Sequence, residues 1–362
     1  MAAIRYTFNP GPAMVYPQVR QFLVDAYDGH ILSISHRSKA FEQIYKTLDT
    51  NLRDKLGIPD DYAIYTLSSA TEVWSVLSES LVQQNSTHLY TGAFGERWFQ
   101  RAQHITPGAV GHQRPIDHDW AAEDWHQHRD TELLCLTQNE TATTAQIPIE
   151  VLPDIRETLP DTLIAIDCTS SLAGINLPIK KADIWYASVQ KCFGLPAGLS
   201  VLIISPRAME RAEEVGFKGQ YNALLHIAKR YEKFQNTHTP NVLGMYLLSR
   251  LSETLPAISD IHKHVAERMQ RLIHFFGSEL GWKLVVEKQQ NRSLTVLGVQ
   301  YPQDELSDLK STMLQKHGVQ LGSGYGPLKS NSFRVANFPA IPDEAFDALF
   351  DATRAYQHNR SA

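Results

Sequence analysis

Two residues near the middle of the chain have the type and the placement for covalent chemistry. Lys191 follows the apolar run Ile184-Trp185-Tyr186-Ala187, and Asp167 ends the run Leu163-Ile164-Ala165-Ile166. Both runs are rich in β-branched or aromatic residues and read as buried strands. A lysine at the end of a buried strand is partly out of water, which lowers its pKa and makes the neutral amine available. Schiff-base formation with a carbonyl compound needs such an amine. The ordinary alternative is a solvated lysine without a chemical role. A buried aspartate with no partner is a costly charge, so Asp167 predicts a cationic neighbour.

A strand-end acid followed closely by a strand-end lysine suits pyridoxal phosphate. The acid would pair with the ring nitrogen while the lysine holds the aldehyde carbon. On Asp167, on Ser188-Val189-Gln190-Lys191 and on the turn Gly194-Leu195-Pro196-Ala197-Gly198, the chain resembles the class V, fold-type I aminotransferases over nearly its whole length. Within that group it is most similar to the phosphoserine aminotransferases, with a second likeness to the alanine/serine–glyoxylate aminotransferases. The resemblance implies an α/β fold. A large cofactor-binding domain would span residues 16–245, with a mainly parallel seven-stranded-type sheet. Residues 1–15 and 246–362 would form a smaller α/β domain. It also implies a homodimer with shared active sites, acting on small amino acids and 2-oxo acids.

The same resemblance implies roles for further residues. Lys191 would act as general base and acid, and Asp167 would keep the ring nitrogen protonated. Phe94 would stack on the ring, with Thr141 and Gln190 tuning it. Ser69, Ala70, Ser188 and the neighbouring subunit's His238 and Thr239 would anchor the cofactor phosphate. Arg334 would grip the substrate carboxylate, and His36 with Arg37 would take the substrate phosphate or the γ-carboxylate of glutamate. Read without the resemblance, Ser69 is a plain helix N-cap and Thr141 caps a turn. Phe94 is a core aromatic, His36-Arg37 a surface pair, and Arg334 the partner of an intrachain acid. The phosphoserine pattern carries an arginine where this chain has Ala70, so one phosphate contact is missing. His238-Thr239 leans toward the glyoxylate group.

The elements that would carry these residues alternate. Phe41, Ile44, Leu48, Leu52 and Leu56 recur at helical spacing. Strands are expected over residues 62–67, 88–91, 133–137, 163–167, 184–187 and 199–204. Helices are expected over 17–26, 68–81, 148–159, 206–218, 224–233, 241–255, 257–280 and 306–316. The C-terminal part adds strands over 283–287 and 294–300, then a closing run over 319–327 and another over 332–338 that places Arg334 on a strand. Near-continuous apolar strands between helices argue for an open parallel sheet covered on both faces, whose ligand site collects at the strands' carboxyl ends. Residues 117–130 read as a polar surface segment, and their histidines show no metal spacing.

Composition narrows the function class. The 362 residues carry a net charge of −5 with no basic block, which leaves nucleic acid and anionic membranes without an electrostatic footprint. No apolar run approaches twenty residues. Met1-Ala2-Ala3-Ile4-Arg5-Tyr6 leads into Asn9-Pro10-Gly11-Pro12 with no expected signal peptide. Cys135, Cys168 and Cys192 fit neither a metal site nor a disulfide framework, so buried thiols and the cytoplasm are expected. No G-x-G-x-x-G follows the first strand, which disfavours a nicotinamide enzyme. A cysteine desulfurase or a non-catalytic cofactor-binding module would be the remaining alternatives.

Overall fold

Strands buried on both faces set the architecture of the computed structural model, which describes residues 4–217 and 219–361. The expected opening at Met1-Ala2-Ala3, the expected helix end at Lys218 and the last residue of the expected small domain lie outside the described residues. In chain order the strands are β1 (Tyr6–Phe8), β2 (Ala63–Leu67), β3 (Asn85–Tyr90), β4 (Gly108–Gln113) and β5 (Leu133–Thr137). A short pair follows, β6 (Asn139–Glu140) and β7 (Ala145–Gln146), and then β8 (Leu163–Asp167), β9 (Ile184–Ser188) and β10 (Ser200–Ile204). The last three are β11 (Val296–Gln300), β12 (Val319–Ser323) and β13 (Ser332–Ala336).

Seven strands form one sheet in the order β2-β10-β9-β8-β5-β3-β4. From β9 to β4 every pairing is parallel, and β10 alone runs antiparallel to both of its neighbours. The reason for β10 is local: the link from Ser188 to Ser200 holds no helix, and a parallel return needs a longer crossover. Alternation along the strands feeds two cores. Ala165, Ile184, Tyr186, Leu202 and Ile204 pack with Val73, Leu77 and Trp98 on one side. Ile164, Ile166, Trp185, Val201 and Ile203 pack with Leu48, Leu52 and Met245 on the other.

The second sheet has the order β1-β12-β13-β11. Its β1 comes from the N-terminal segment and pairs in parallel with β12, Tyr6 opposite Val319. Threads of hydrogen bonds join the two sheets near β6. Asn139 Nδ2 donates to Thr295 Oγ1 at 2.6 Å, and Thr295 Oγ1 donates to the Ser170 carbonyl at 2.6 Å. These bonds tie the residue leading into β11, the strand that pairs with the one carrying Arg334, to the segments just after Asp167 and just before Thr141.

Several elements differ from the sequence expectation. The 41–56 helix begins at Lys39, where Ser38 accepts from the Phe41 amide at 3.3 Å, and ends on Gly57 at a φ of +65°. Strand β4 has no expectation behind it, because Gly108-Ala-Val-Gly-His-Gln113 is poor in strand formers and is held by pairing with β3. The strand expected at 283–287 reduces to one bridge, Leu284 to Val299. The helix Asp343–Ser361 also has no expectation behind it. Residues 117–130 are not simply a polar surface segment. Trp125 is fully buried and stacks on Trp120 at 5.5 Å, while Asp124 and His128 are buried with it. Cys135, Cys168 and Cys192 are buried free thiols. No helix among the described residues is long and apolar enough to cross a membrane.

Candidate active site

The carboxyl ends of β5, β8 and β9 open into a cavity of about 250 Å³, and the second sheet closes it from above with Tyr325 and Arg334. Chain geometry accounts for each wall. Asp167 is the last residue of β8, and Lys191 stands three residues after the end of β9. The helix Ala70–Leu81 points its N-terminus at the cavity through Ala70 and Thr71. The helix Ala93–Ile105 presents Phe94. The N-terminal turn adds Pro10, Gly11 and Pro12, with Gly11 at a φ of +127°. A Cβ on Gly11 would stand 3.0 Å from the Cε of Lys191, so glycine is what lets this turn close over the lysine stem.

Lys191 is buried, and burial brings its pKa down from 10.5 to about 8 against the pull of Asp167 and Glu140. Its Nζ donates to Thr141 Oγ1 at 2.8 Å and lies 5.2 Å from the centre of the Phe94 ring. Thr141 Oγ1 in turn donates to Ser170 Oγ at 3.0 Å. Asp167 is buried, which raises its pKa, while the amide of Thr169 donates to Oδ1 at 2.9 Å and supports the charge. The charge of Lys191 draws this carboxyl's pKa down in turn, while the cationic neighbour expected for it, a protonated ring nitrogen, belongs to the implied cofactor.

Arg334 lies on β13 between two glycines, Gly298 and Gly322, its partners on either side. Its Nη1 donates to the Thr141 carbonyl at 2.6 Å and its Nε to the Ser323 carbonyl at 2.7 Å. Burial lowers its pKa to about 10. No acid among the described residues forms an ion pair with it within 4.0 Å, so the intrachain partner considered from sequence is absent. Two carbonyls therefore hold the guanidinium without neutralising it.

One important residue had no role assigned from sequence. Glu140 is fully buried, which raises its pKa, and it accepts from the amides of Phe94, Gly95 and Ala142 at 2.9–3.1 Å. It caps the Ala93–Ile105 helix from a different segment, because Gly92 has no side chain to do so. A Cβ on Gly92 would lie 2.6 Å from the Glu140 Cγ. The signal in the sequence was its place beside Thr141 after a buried strand, but only tertiary contact brings it to Phe94. Thr71, Trp74, Thr169 and Tyr325 also line the cavity without having been singled out.

The structure brings together Ala70, Phe94, Thr141, Asp167, Ser188, Gln190, Lys191 and Arg334. Ser69 sits one residue before the lining and caps its helix, accepting from the Glu72 amide at 3.1 Å. Ser188 Oγ accepts from the Ala70 amide at 3.0 Å. Four residues are not brought to this cavity within the chain. Arg37 spends its Nη1 on Gln235 Oε1 and the Asn236 carbonyl at 2.7 and 2.9 Å. His36, His238 and the exposed Thr239 lie near this same polar surface, where burial, Arg37 and His238 lower the pKa of His36. Among the described residues no group of three or more His, Cys, Asp or Glu could hold a metal ion.

The cavity fits pyridoxal phosphate. A buried amine, a buried carboxylate and a flat ring converge, and buried polar atoms on the walls have no partner, Thr137 Oγ1, Asn139 Oδ1 and Gln190 Oε1 among them. Such atoms are costly unless a ligand or water satisfies them.

Comparison with known proteins agrees with this chemistry. The family model of the class-V aminotransferases matches residues 5–329. A phosphoserine aminotransferase of Corynebacterium glutamicum is 26% identical over 95% of this chain and 92% of its own length. The crystal structure of a phosphoserine aminotransferase from Cytophaga hutchinsonii superposes with a TM-score of 0.91 at 31% identity, covering 97% of this chain and 98% of its own. An alanine–glyoxylate aminotransferase from Nostoc has the same fold, with a TM-score of 0.82 at 20% identity over 97% of this chain and 94% of its own.

Proposed function

The chain belongs to the class-V aminotransferase family, a family of pyridoxal-phosphate-dependent transferases, and from that premise we propose that it exchanges the amino group of phosphoserine with 2-oxoglutarate. The residue that carries this reading is Thr141. Its hydroxyl binds the Lys191 amine and its carbonyl binds the Arg334 guanidinium. An amine able to act as a base and a receptor for a carboxylate thus flank one residue, as an α-amino acid requires.

In this reading Lys191 holds the cofactor's aldehyde carbon, Asp167 its ring nitrogen and Phe94 its ring face, while Thr141 and Gln190 adjust its polar edge. Ser69, Ala70 and Ser188 hold its phosphate at a helix N-terminus, with His238 and Thr239 reaching the same group in a partner subunit. Bound there, pyridoxal phosphate supplies a carbonyl for the amino nitrogen and a ring that accepts the electron pair released at Cα. The neutral Lys191 amine takes the proton from Cα, and its low pKa keeps a useful fraction deprotonated near pH 8. Arg334 fixes the α-carboxylate in a bidentate grip and so sets which bond at Cα faces the lysine. The Phe94 ring, pinned by Glu140, closes the opposite wall.

The phosphorylated substrate is supported by the likeness to phosphoserine aminotransferases. Within the chain Arg37 is held on Gln235 and Asn236 and the cavity lacks both His36 and Arg37, so the pair would serve a neighbouring subunit's site. The reading therefore includes a homodimer, and a cytoplasmic location supported by three buried free cysteines. It also includes a division into residues 16–245 and residues 1–15 with 246–362, supported by the pairing of β1 with β12. The test is the holoenzyme's absorbance change on mixing with phosphoserine, serine or alanine, followed by turnover of phosphohydroxypyruvate with glutamate against glyoxylate with alanine. A response to serine and alanine alone, with turnover of glyoxylate only, would move the assignment to the glyoxylate group.

A further inference from the structure

Resting on the reading of Asp167 as the partner of the cofactor's ring nitrogen, we propose that Tyr186, backed by Trp74, is a positioning residue that aims the Asp167 carboxylate at that nitrogen. Tyr186 is fully buried on β9 among Val73, Leu77 and Trp98, surroundings that a phenylalanine ring would fill as well. A hydroxyl in such a place is costly unless both its oxygen and its proton find partners.

Both partners are present. Trp74 Nε1 donates to Tyr186 Oη at 2.9 Å. An indole nitrogen can only donate, so the phenol oxygen accepts there and its own proton points elsewhere. Asp167 takes that proton's hydrogen bond. The two residues stand opposite each other in the parallel register of β8 and β9, so their side chains leave the sheet on the same face. Burial raises the pKa of Asp167, and with Thr169 and Lys191 the hydrogen bond from Tyr186 works against it. Burial also pushes the phenol pKa well above 10, so the hydroxyl keeps its proton and stays a donor.

The second donor fixes a direction. The Thr169 amide grips Oδ1 at 2.9 Å, and a carboxylate held by one bond still turns about its Cβ–Cγ axis. A donor from the neighbouring strand removes that freedom. Trp74 lies one turn after Ala70 on the Ala70–Leu81 helix, and both residues line the cavity. The helix assigned to the cofactor phosphate therefore also braces the acid assigned to the ring nitrogen.

The test measures binding to the full-length protein freed of cofactor, by fluorescence titration. The ligands are pyridoxal phosphate and its deaza analogue, in which a C–H group replaces the ring nitrogen. Only the first can use the carboxylate, so wild-type protein should bind it more tightly. Tyr186→Phe should cut that preference about tenfold, the worth of a hydrogen bond to a charged group, and leave the analogue's affinity unchanged. Trp74→Phe frees the phenol to turn and should cut the preference about threefold; it reads the same relay should Tyr186→Phe not fold. In an Asp167→Asn background, Tyr186→Phe should not alter the preference further. An unchanged preference in either single variant, or equal losses for both ligands, would overturn the proposal while the role of Asp167 stands. Wild-type protein that binds both ligands alike would overturn the two together.

Discussion

The acidity of Lys191 is the property from which the chemistry follows, and it can be measured without the cofactor. Burial takes its pKa from 10.5 to about 8, with Asp167 and Glu140 pulling the other way. At pH 7 the neutral fraction is then about 9%, against about 0.03% for a solvated lysine, a ratio of roughly 300. In apo protein, the pH dependence of Lys191 modification by an amine-reactive reagent, read peptide by peptide by mass spectrometry, should show a midpoint near 8. Asp167→Asn removes the stronger of the two opposing charges, so the Lys191 midpoint should fall below 8. The linked effect on stability has a fixed sign. The folded pKa is depressed, so the buried ammonium weakens the fold below about pH 8. That penalty, about 3 kcal/mol, disappears as the pH rises toward the unfolded value of 10.5. A Lys191 midpoint at or above 10, or an upward shift in Asp167→Asn, would refute the argument that burial sets this amine's acidity.

Substitutions at three further residues probe the walls. Glu140→Ala leaves three amides without their acceptor and should cost about 2–4 kcal/mol in denaturant unfolding. Phe94→Trp keeps a flat face and should retain cofactor affinity, whereas Phe94→Ala should weaken it about tenfold in a fluorescence titration. Arg334→Lys cannot form the bidentate grip, so KM for amino acids should rise about tenfold or more while the Tm changes little.

The sequence by itself determined the chemistry's raw materials and their order. Apolar runs ending in Asp167 and leading to Lys191 require a covered sheet, because only burial on both faces tolerates such strands, and a covered sheet gathers its strand ends. Phe94, Thr141 and Arg334 were legible through their resemblance to a family pattern. Tertiary structure alone decided what those residues touch. Glu140 caps a helix 45 residues upstream, a contact that no local spacing encodes. Arg334 is held by two carbonyls, where local reasoning allowed an acid. Arg37 is tied to residues 235 and 236, away from the cavity. Strand β4, poor in strand formers, exists because β3 offers it a free edge. Short-range patterns report which face of an element is apolar, whereas hydrogen-bond partners depend on which elements the fold brings together.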